Sequence, residues 1–428
     1  MIKNEIGNLI YKFCQDLFFI NRSITGDGVR ETLKIISKKI NNFNIIEVAS
    51  GTQCLDWVVP EEWNVTDAFV KDENGNKIID FKSNNVHLLG YSHPIKKTVS
   101  LTELNEHLYS IPKMPNAIPY ITSYYKKNWG FCISENEKCK LKDQNYYVEI
   151  DSNFKKGSLT YGEVLIKGKS KKEIVFSTYV CHPSLANDNL SGPVLATFLA
   201  EYLQKLKNLR YSYRFIFIPE TIGAVAYISK NLPNLKKNTY AGFILTCVGD
   251  NNNFSYLSSK NGDAVCDNVA LHVLDNLNIK YKKYSFLERG SDERQYSSPG
   301  VDLPFCTVMR SKYGEFKEYH TSLDNLDFVN PDGFQGSFEV HKKIINIFEN
   351  NYTYKSTVIG EPQLGKRGLY PNLSTKKTHQ HVQDMMNLIS YSDGEKTLLE
   401  VANEIECPIW DLYPILDKLI KNKILKKI

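Results

Sequence analysis

The 428-residue sequence predicts an α/β protein. The expected architecture is a mostly parallel mixed sheet flanked by helices, interrupted by a β-rich module and followed by a winged helix-turn-helix. Three observations carry that expectation. Strand-like and helix-like runs alternate from about Glu163 to Phe348. The stretch from Gly51 to about Asp151 breaks this rhythm with short alternating runs and prolines, and the last fifty residues hold two short helices with apolar periodicity and a brief tail. A chain of 49.1 kDa exceeds one ordinary core and suggests two or three domains. With 42% hydrophobic and 24% charged residues, disorder and collagen-like repeats are excluded. No run reaches the ~20 apolar residues of a spanning helix. Leu17–Ile20 is too short for a signal-peptide core.

Residues 1–40 read as helical, with Ile6, Leu9, Ile10, Phe13 and Leu17 at helical spacing and a second run after the Gly26–Gly28 turn. Asp56-Trp57-Val58-Val59-Pro60 opens the β-rich module, which contains a turn at Asn74-Gly75. Then come strand Glu173–Val180, helix Leu190–Leu206, strand Tyr213–Pro219, helix Ile222–Leu232 and strand Ala241–Val248. Helix Ala264–Leu277, strand Pro304–Met309 and helix Gly333–Phe348 complete the pattern. The stretch 355–380, with Gly360, Pro362, Gly365, Gly368 and Pro371, reads as a linker or extended arm. Thr397–Ile405 and the run from Pro408 to Asn422 make a helix-turn-helix outline, with Lys423–Ile428 as a wing. Pro414 inside the second helix should kink it or cost ~3 kcal/mol. The expected organisation is a domain of residues 1–50 with 155–350, a small module of 51–154 inserted into it, and a C-terminal module of 355–428.

In an open parallel sheet, ligands bind beyond the carboxyl ends of the strands, so the residues just past each strand are the place to look for chemistry. Cys181, His182 and Asp188 follow the first of these strands, Glu220 directly follows the second, and His320 lies past Pro304–Met309. Two imidazoles and two carboxylates suit a divalent-metal hydrolase. A catalytic zinc takes three nitrogen or oxygen ligands and keeps one position for water, while an unligated carboxylate moves the proton. His182, Asp188 and His320 are then the ligands and Glu220 the base. Taken singly, each has an ordinary alternative: loop histidines for His182 and His320, a helix N-cap for Asp188, a surface ion pair for Glu220. A Cys181–His182 nucleophile pair is disfavoured, because adjacent residues at a strand end point apart.

Ala186-Asn187-Asp188-Asn189-Leu190-Ser191-Gly192 resembles the aspartate motif of the two-zinc bacterial aminopeptidase and glutaminyl cyclase superfamily, with His182 at the position of an earlier zinc ligand. Gly290-Ser291-Asp292, Gly300-Val301-Asp302-Leu303-Pro304 and Tyr319-His320-Thr321 with Asp324 are similar to further stretches of that family. Pro219-Glu220-Thr221-Ile222-Gly223 looks like the segment whose first glutamate is the general base. The whole chain also resembles a three-part, largely uncharacterised family: an aminopeptidase-like domain, an inserted small domain and a terminal winged helix. The resemblance implies a zinc exopeptidase-like fold, zinc, amide hydrolysis, and a cis peptide after Asp188.

Two departures bear on the metal. Thr221 and Thr246 stand where the two-zinc enzymes carry a glutamate and an aspartate ligand. Two Zn²⁺ within ~4 Å need carboxylates to offset their repulsion, so one zinc is expected. Cys247, beside the lost aspartate, reads as a core thiol, with ligation as its alternative. Because the replaced residues help hold a free amino terminus in the relatives, Asp292 or Glu293 is expected to bind that ammonium, or else to form ordinary salt bridges. Arg289, Arg294 and Arg310 are candidates for a substrate carboxylate. The inserted module, with Trp57, Trp63 and Trp129, is expected to shape access to the site, while the competing role for these tryptophans, burial in the module's own small core, is favoured.

A net charge of +5 is too weak to imply nucleic acid, and residues 355–428 carry 11 basic against 9 acidic side chains. Asp411 and Asp417 cancel Lys418 and Lys421 on the second helix, whose outer face lacks a base-reading set. Packing or oligomerisation is therefore favoured for residues 395–428 over DNA. Nine scattered cysteines without a CxxC pair point to reduced thiols and the cytoplasm. The expected partner is a peptide or small amide substrate, with no membrane and with a homo-oligomer allowed. A non-catalytic zinc scaffold and a DNA-binding regulator stand as alternatives.

Overall fold

A computed structural model describes residues 5–277, 279–370 and 376–428. Its centre is an eight-stranded sheet built from β1 (Asn44–Ala49), β2 (Ser158–Ile166), β3 (Glu173–Tyr179), β4 (Ser212–Ile218), β5 (Thr239–Ile244), β6 (Phe254–Leu257), β7 (Tyr281–Tyr284) and β8 (Phe305–Met309). Across the sheet the order is β1-β2-β4-β3-β5-β8-β6-β7. The middle pairs β4/β3, β3/β5 and β5/β8 are parallel, as the strand–helix alternation predicts. β3, β4 and β8 are buried along their whole length, which is why they read as near-continuous apolar runs. The edges supply the antiparallel part of the expected mixed sheet: β1 and β2 add antiparallel, and β6 runs antiparallel to β8. These strands are short or carry polar residues, so their pattern is weak.

Helices Glu5–Phe18 and Asp27–Ser37 precede β1. The helix predicted to end at Leu232 continues through Pro233 to Asn238, because Leu235 remains buried and one proline removes only one backbone bond. The strand predicted to reach Val248 ends at Ile244, which leaves 245–249 as a loop on the rim. Residues 51–157 contain a separate antiparallel sheet in the order Lys77–Asp80, Glu62–Lys71, Asn145–Lys155, Ile95–Ser100. Its core, with Trp63, Phe131 and Ile150, is continuous with that of the large sheet through Leu159, Tyr179 and Ile216. Residues 1–266 and 281–339 form one compact unit and 267–280 with 340–428 another.

The second unit holds a three-stranded sheet (Asp393–Thr397, Thr353–Ser356, Leu425–Lys427) and helices Lys376–Tyr391, Leu398–Glu404 and Ile409–Lys421. Thr397 and Glu400 form a capping box at the start of the second helix. The third runs through Pro414 and buries Ile409, Leu412, Ile415, Leu416 and Leu419 on one face. The expected linker 355–380 is only partly extended, since a helix begins at Lys376; Pro371 lies outside the described residues. No helix among the described residues is long and apolar enough to cross a membrane, and all nine cysteines are free thiols.

Candidate metal centre

Strand register brings the site together. Tyr179 on β3 sits opposite Ile218 on β4, and the Val180 N–H donates to the Ile218 carbonyl at 2.8 Å. Residues 180–182 and 219–220 therefore leave the sheet side by side. Ser177 pairs with Ile244, so 245–247 emerge on the same rim. From β8 the chain travels through a loop and returns to that rim at His320.

His182, Asp188 and His320 each offer a ligand atom, and these atoms all lie within 4.8 Å of one another. His320 Nε2 is 3.1 Å from Asp188 Oδ2, and His182 Nδ1 is 3.9 Å from Asp188 Oδ1. Glu220 Oε2 is 3.6 Å from His182 Nε2. His182 Nδ1, Asp188 Oδ2 and His320 Nε2 are buried and make no hydrogen bond of proper geometry. Such orphans are costly in a protein interior, and these three lie close enough together to hold a metal ion between them. The donor set, two imidazoles and one carboxylate, is one that zinc accepts.

The surrounding residues hold this group in place. The Asp324 carboxylate accepts the backbone N–H of Asn187 at 2.6 Å and of Asp188 at 2.8 Å. The Asp188–Asn189 peptide is cis. The Asn189 amide reaches Thr178 Oγ1 and the Tyr179 carbonyl, both at 3.2 Å. The Tyr179 hydroxyl donates to Asp188 Oδ1 and lies 2.7 Å from Thr246 Oγ1. Buried Arg22 donates through Nε to the His182 carbonyl at 2.9 Å and through Nη1 to the Leu17 carbonyl at 2.7 Å. Gly192 is required by space: a Cβ there would lie 2.3 Å from the Leu245 carbonyl oxygen and 2.4 Å from Thr178 Oγ1. Four non-glycine residues near the site, Ser184, Thr221, Cys247 and His320, have φ between 43° and 61°, the kind of backbone strain that gathers at functional sites.

Burial dominates the titration of these groups. It lowers His182 to about 4 despite the nearby Asp188 carboxylate, so the ring is neutral and able to ligate. For Asp188, burial acts upward, but His182, His320 and the Tyr179 hydroxyl together hold the carboxyl below its ordinary value. Burial, with the negative Asp292 and Asp188 nearby, raises Glu220 well above the carboxylate range. Burial also lifts Asp292 to about 7 and Asp324 to about 8. A divalent cation bound here would supply the positive charge that this acidic cluster lacks.

The other expected residues divide. Asp292 is adjacent: its Oδ1 accepts the Thr221 N–H at 2.8 Å and its buried Oδ2 is unpartnered. Glu293 is divided: its Oε1 is committed to the Gly290 and Ser291 N–H groups and the Tyr313 hydroxyl, while its buried Oε2, like Asp292 Oδ2, is unpartnered. Arg310 is a correction. It is a buried strut that donates to the Asn252 and Gly333 carbonyls and lies over the Phe254 ring at 3.9 Å. Exposed Arg289 folds back on Phe286. Arg294 is the arginine at the site, with Nη2 3.3 Å from Thr221 Oγ1. Asp188 does not cap the Ser191–Lys205 helix. Cys181 Sγ accepts the Glu220 N–H at 3.3 Å, and Cys247 Sγ is 3.9 Å from Asp188 Oδ1. Sequence reasoning missed Arg22, Tyr179 and Tyr120, whose roles arise from contacts distant in the chain and carry no motif.

A cavity of about 270 Å³ opens beside His182, Glu220, Thr221 and His320. The inserted module supplies its aromatic wall with Trp57, Tyr120, Tyr124 and Tyr125. Trp63 is buried at 3% exposure, as expected, but Trp57 is 41% exposed and faces this wall, edge-on to Tyr125.

In the C-terminal unit, the helix Ile409–Lys421 has its first turn covered. The Ile409 N–H donates to His272 Nε2 at 3.0 Å, and Lys343 lies over the Trp410 ring at 3.9 Å.

A sequence profile described as a domain of unknown function, DUF4910, matches residues 11–351, and one described as winged helix-turn-helix matches 352–427. A Clostridium acetobutylicum protein is 46% identical over 425 residues, spanning 99% of this chain and 97% of its own. Its provisional name is polysaccharide biosynthesis protein with aminopeptidase-like domain. A crystal structure from the same organism, carrying a provisional peptidase designation, superposes with TM-score 0.94 at 45% identity over 99% of this chain and 97% of that one. The zinc aminopeptidase BSAP of Bacillus subtilis shares the fold at TM-score 0.57 and 12% identity, over 79% of this chain and 94% of that one.

Proposed function

From the premise that this chain belongs to the DUF4910 family, built on an aminopeptidase-like fold, we propose that it is a hydrolase of peptide or related amide bonds, aminopeptidase-like in its chemistry. In this reading His182, Asp188 and His320 hold a single zinc ion and Glu220 is the general base. The observation that carries it is the meeting of three buried, unpartnered ligand atoms beside a carboxyl facing a cavity. When bound, zinc polarises the scissile carbonyl and acidifies water towards pKa ~7. Glu220, whose side chain is 22% exposed, takes the proton from the attacking water and passes it to the leaving amine. A raised affinity for protons suits that transfer, because a carboxylate at its ordinary value is a weak base towards water. Asp292 fixes the Glu220–Thr221 turn through the Thr221 N–H. Arg294, rather than Arg289 or Arg310, is the arginine able to meet a substrate carboxylate at the rim. Asp292 keeps one buried carboxyl oxygen for an ammonium.

Two alternatives receive less support. DNA reading by a helix-turn-helix uses the first residues of the second helix, and here Ile409 and Trp410 are occupied by His272 and Lys343. A zinc scaffold without activity leaves the position and environment of Glu220 without a role. Nine free thiols fit a reducing compartment, the cytoplasm.

Metal analysis of the purified chain, with a screen of aminoacyl and N-acylated amine substrates, tests the proposal. About one zinc per chain is expected. Glu220→Gln should retain zinc while turnover falls by ~10² or more. If that variant loses the metal, Glu220 is a ligand and the assignment of roles is wrong.

A further inference from the structure

We propose that Tyr120, a residue of the inserted module, is a catalytic hydrogen-bond donor of this site, its phenol donating to the scissile carbonyl oxygen as that oxygen gathers negative charge. The proposal rests on the hydrolase reading above and adds a residue outside the sheet.

Tyr120 is anchored to the metal-ligand loop by backbone. Its N–H donates to the His320 carbonyl at 2.8 Å, the Ser322 N–H donates to the Ile118 carbonyl at 2.8 Å, and Pro119 bridges Thr321. A short ladder thus joins the module to the loop that presents His320. The Tyr120 ring stands edge-on to both imidazoles, with centroids 5.2 Å from His182 and 5.2 Å from His320, at 75° and 89°. The ring lines the cavity that holds Glu220. Its hydroxyl has one weak contact, Tyr124 Oη at 3.4 Å, so the proton is available to a substrate oxygen. A preorganised neutral donor near developing charge is the arrangement that stabilises an oxyanion.

The proton balance needs nothing further. Water oxygen bonds to the carbonyl carbon and its proton goes to Glu220. The C–N bond then breaks, that proton goes to the amine nitrogen, and Tyr120 keeps its own throughout.

The test uses the full-length zinc-loaded chain and phenylphosphonate, a tetrahedral oxyanion carrying a ring, titrated by calorimetry into wild type and Tyr120→Phe. Zinc content and melting temperature of both proteins are measured alongside. The variant should hold zinc and melt like wild type while its Kd for phenylphosphonate rises about tenfold or more. A Kd within twofold of wild type overturns the proposal and leaves the hydrolase reading standing. So does a zinc-loaded wild type that fails to take up the probe. Wild type without zinc overturns the hydrolase reading itself. If Tyr120→Phe does not fold, 3-fluorotyrosine placed at position 120 gives the reading: a fluorine resonance unmoved by phenylphosphonate overturns the proposal, and a moved one supports it.

Discussion

Replacing Glu62 with glutamine should loosen the attachment of the inserted module, in a way that pH reveals. Glu62 is 1% exposed, on the strand Glu62–Lys71. Its carboxylate pairs with both terminal nitrogens of Arg30 and lies 3.1 Å from Lys155 Nζ. It also accepts the Ser158 N–H at 3.0 Å and the Asn64 amide at 3.0 Å. It therefore ties the helix Asp27–Ser37 to the start of β2 and to the module. Burial acts to raise this carboxyl, but Arg30, the Ser158 N–H and Lys155 outweigh it and bring it from 4.5 down to about 2. At ~1.36 kcal/mol for each tenfold in proton affinity, that difference is worth about 3 kcal/mol at neutral pH. Because the folded value is depressed, the contribution is complete above the unfolded value near 4.5 and disappears as pH falls towards 2. Arg30 keeps Asp27 at 3.0 Å and Glu47 at 3.1 Å in the variant, so a net loss of about 2–3 kcal/mol is expected. Urea unfolding followed by tryptophan fluorescence reads mainly the first unit, which holds Trp57, Trp63 and Trp129. Wild type and Glu62→Gln should differ by that amount at pH 7 and converge between pH 4.5 and 2. A difference below about 1 kcal/mol at pH 7, or one that stays constant to pH 2.5, would refute this account of the network.

Gly192→Ala should destabilise the chain by about 3 kcal/mol and lower zinc content together, since its Cβ meets the Leu245 carbonyl and Thr178 with no room to move; denaturation and metal analysis of the same sample check it. Arg22→Met leaves the His182 carbonyl without its buried donor, and zinc affinity measured by chelator competition should fall about tenfold, as for other groups that orient a ligand. His272→Ala removes the acceptor of the Ile409 N–H and should cost about 1–3 kcal/mol, seen as faster amide exchange in the helix Ile409–Lys421. Burial lowers His272 below its ordinary value, so in wild type this protection should hold at neutral pH and weaken as pH drops below about 6.5. Exchange rates in that helix that stay level from pH 7 to 5, after correction for intrinsic chemistry, would contradict the assignment.

The parallel centre of the sheet was legible because its strands are buried on both faces, and burial leaves continuous apolar runs between helices of period 3.6. The edge strands were not, since β7, Tyr-Lys-Lys-Tyr, has two exposed lysines and borrows its order from β6. That His182, Asp188, Glu220 and His320 come together was legible because a parallel sheet delivers strand ends to one rim and the motifs around them resemble those of a known family. Arg310 was misread for the opposite reason. Charge near a motif does not say which way a side chain points, and Arg310 turns inward to satisfy backbone carbonyls. What the sequence determined is thus the layered fold and the rim where chemistry gathers, because periodicity and strand order are local properties of the chain. Tertiary structure alone decided that Arg22 holds His182, that Tyr120 stands edge-on to two imidazoles, and which aromatic residues of the inserted module wall the cavity. Those contacts join residues up to 200 positions apart, and only packing, with its demand that every buried donor find an acceptor, selects them.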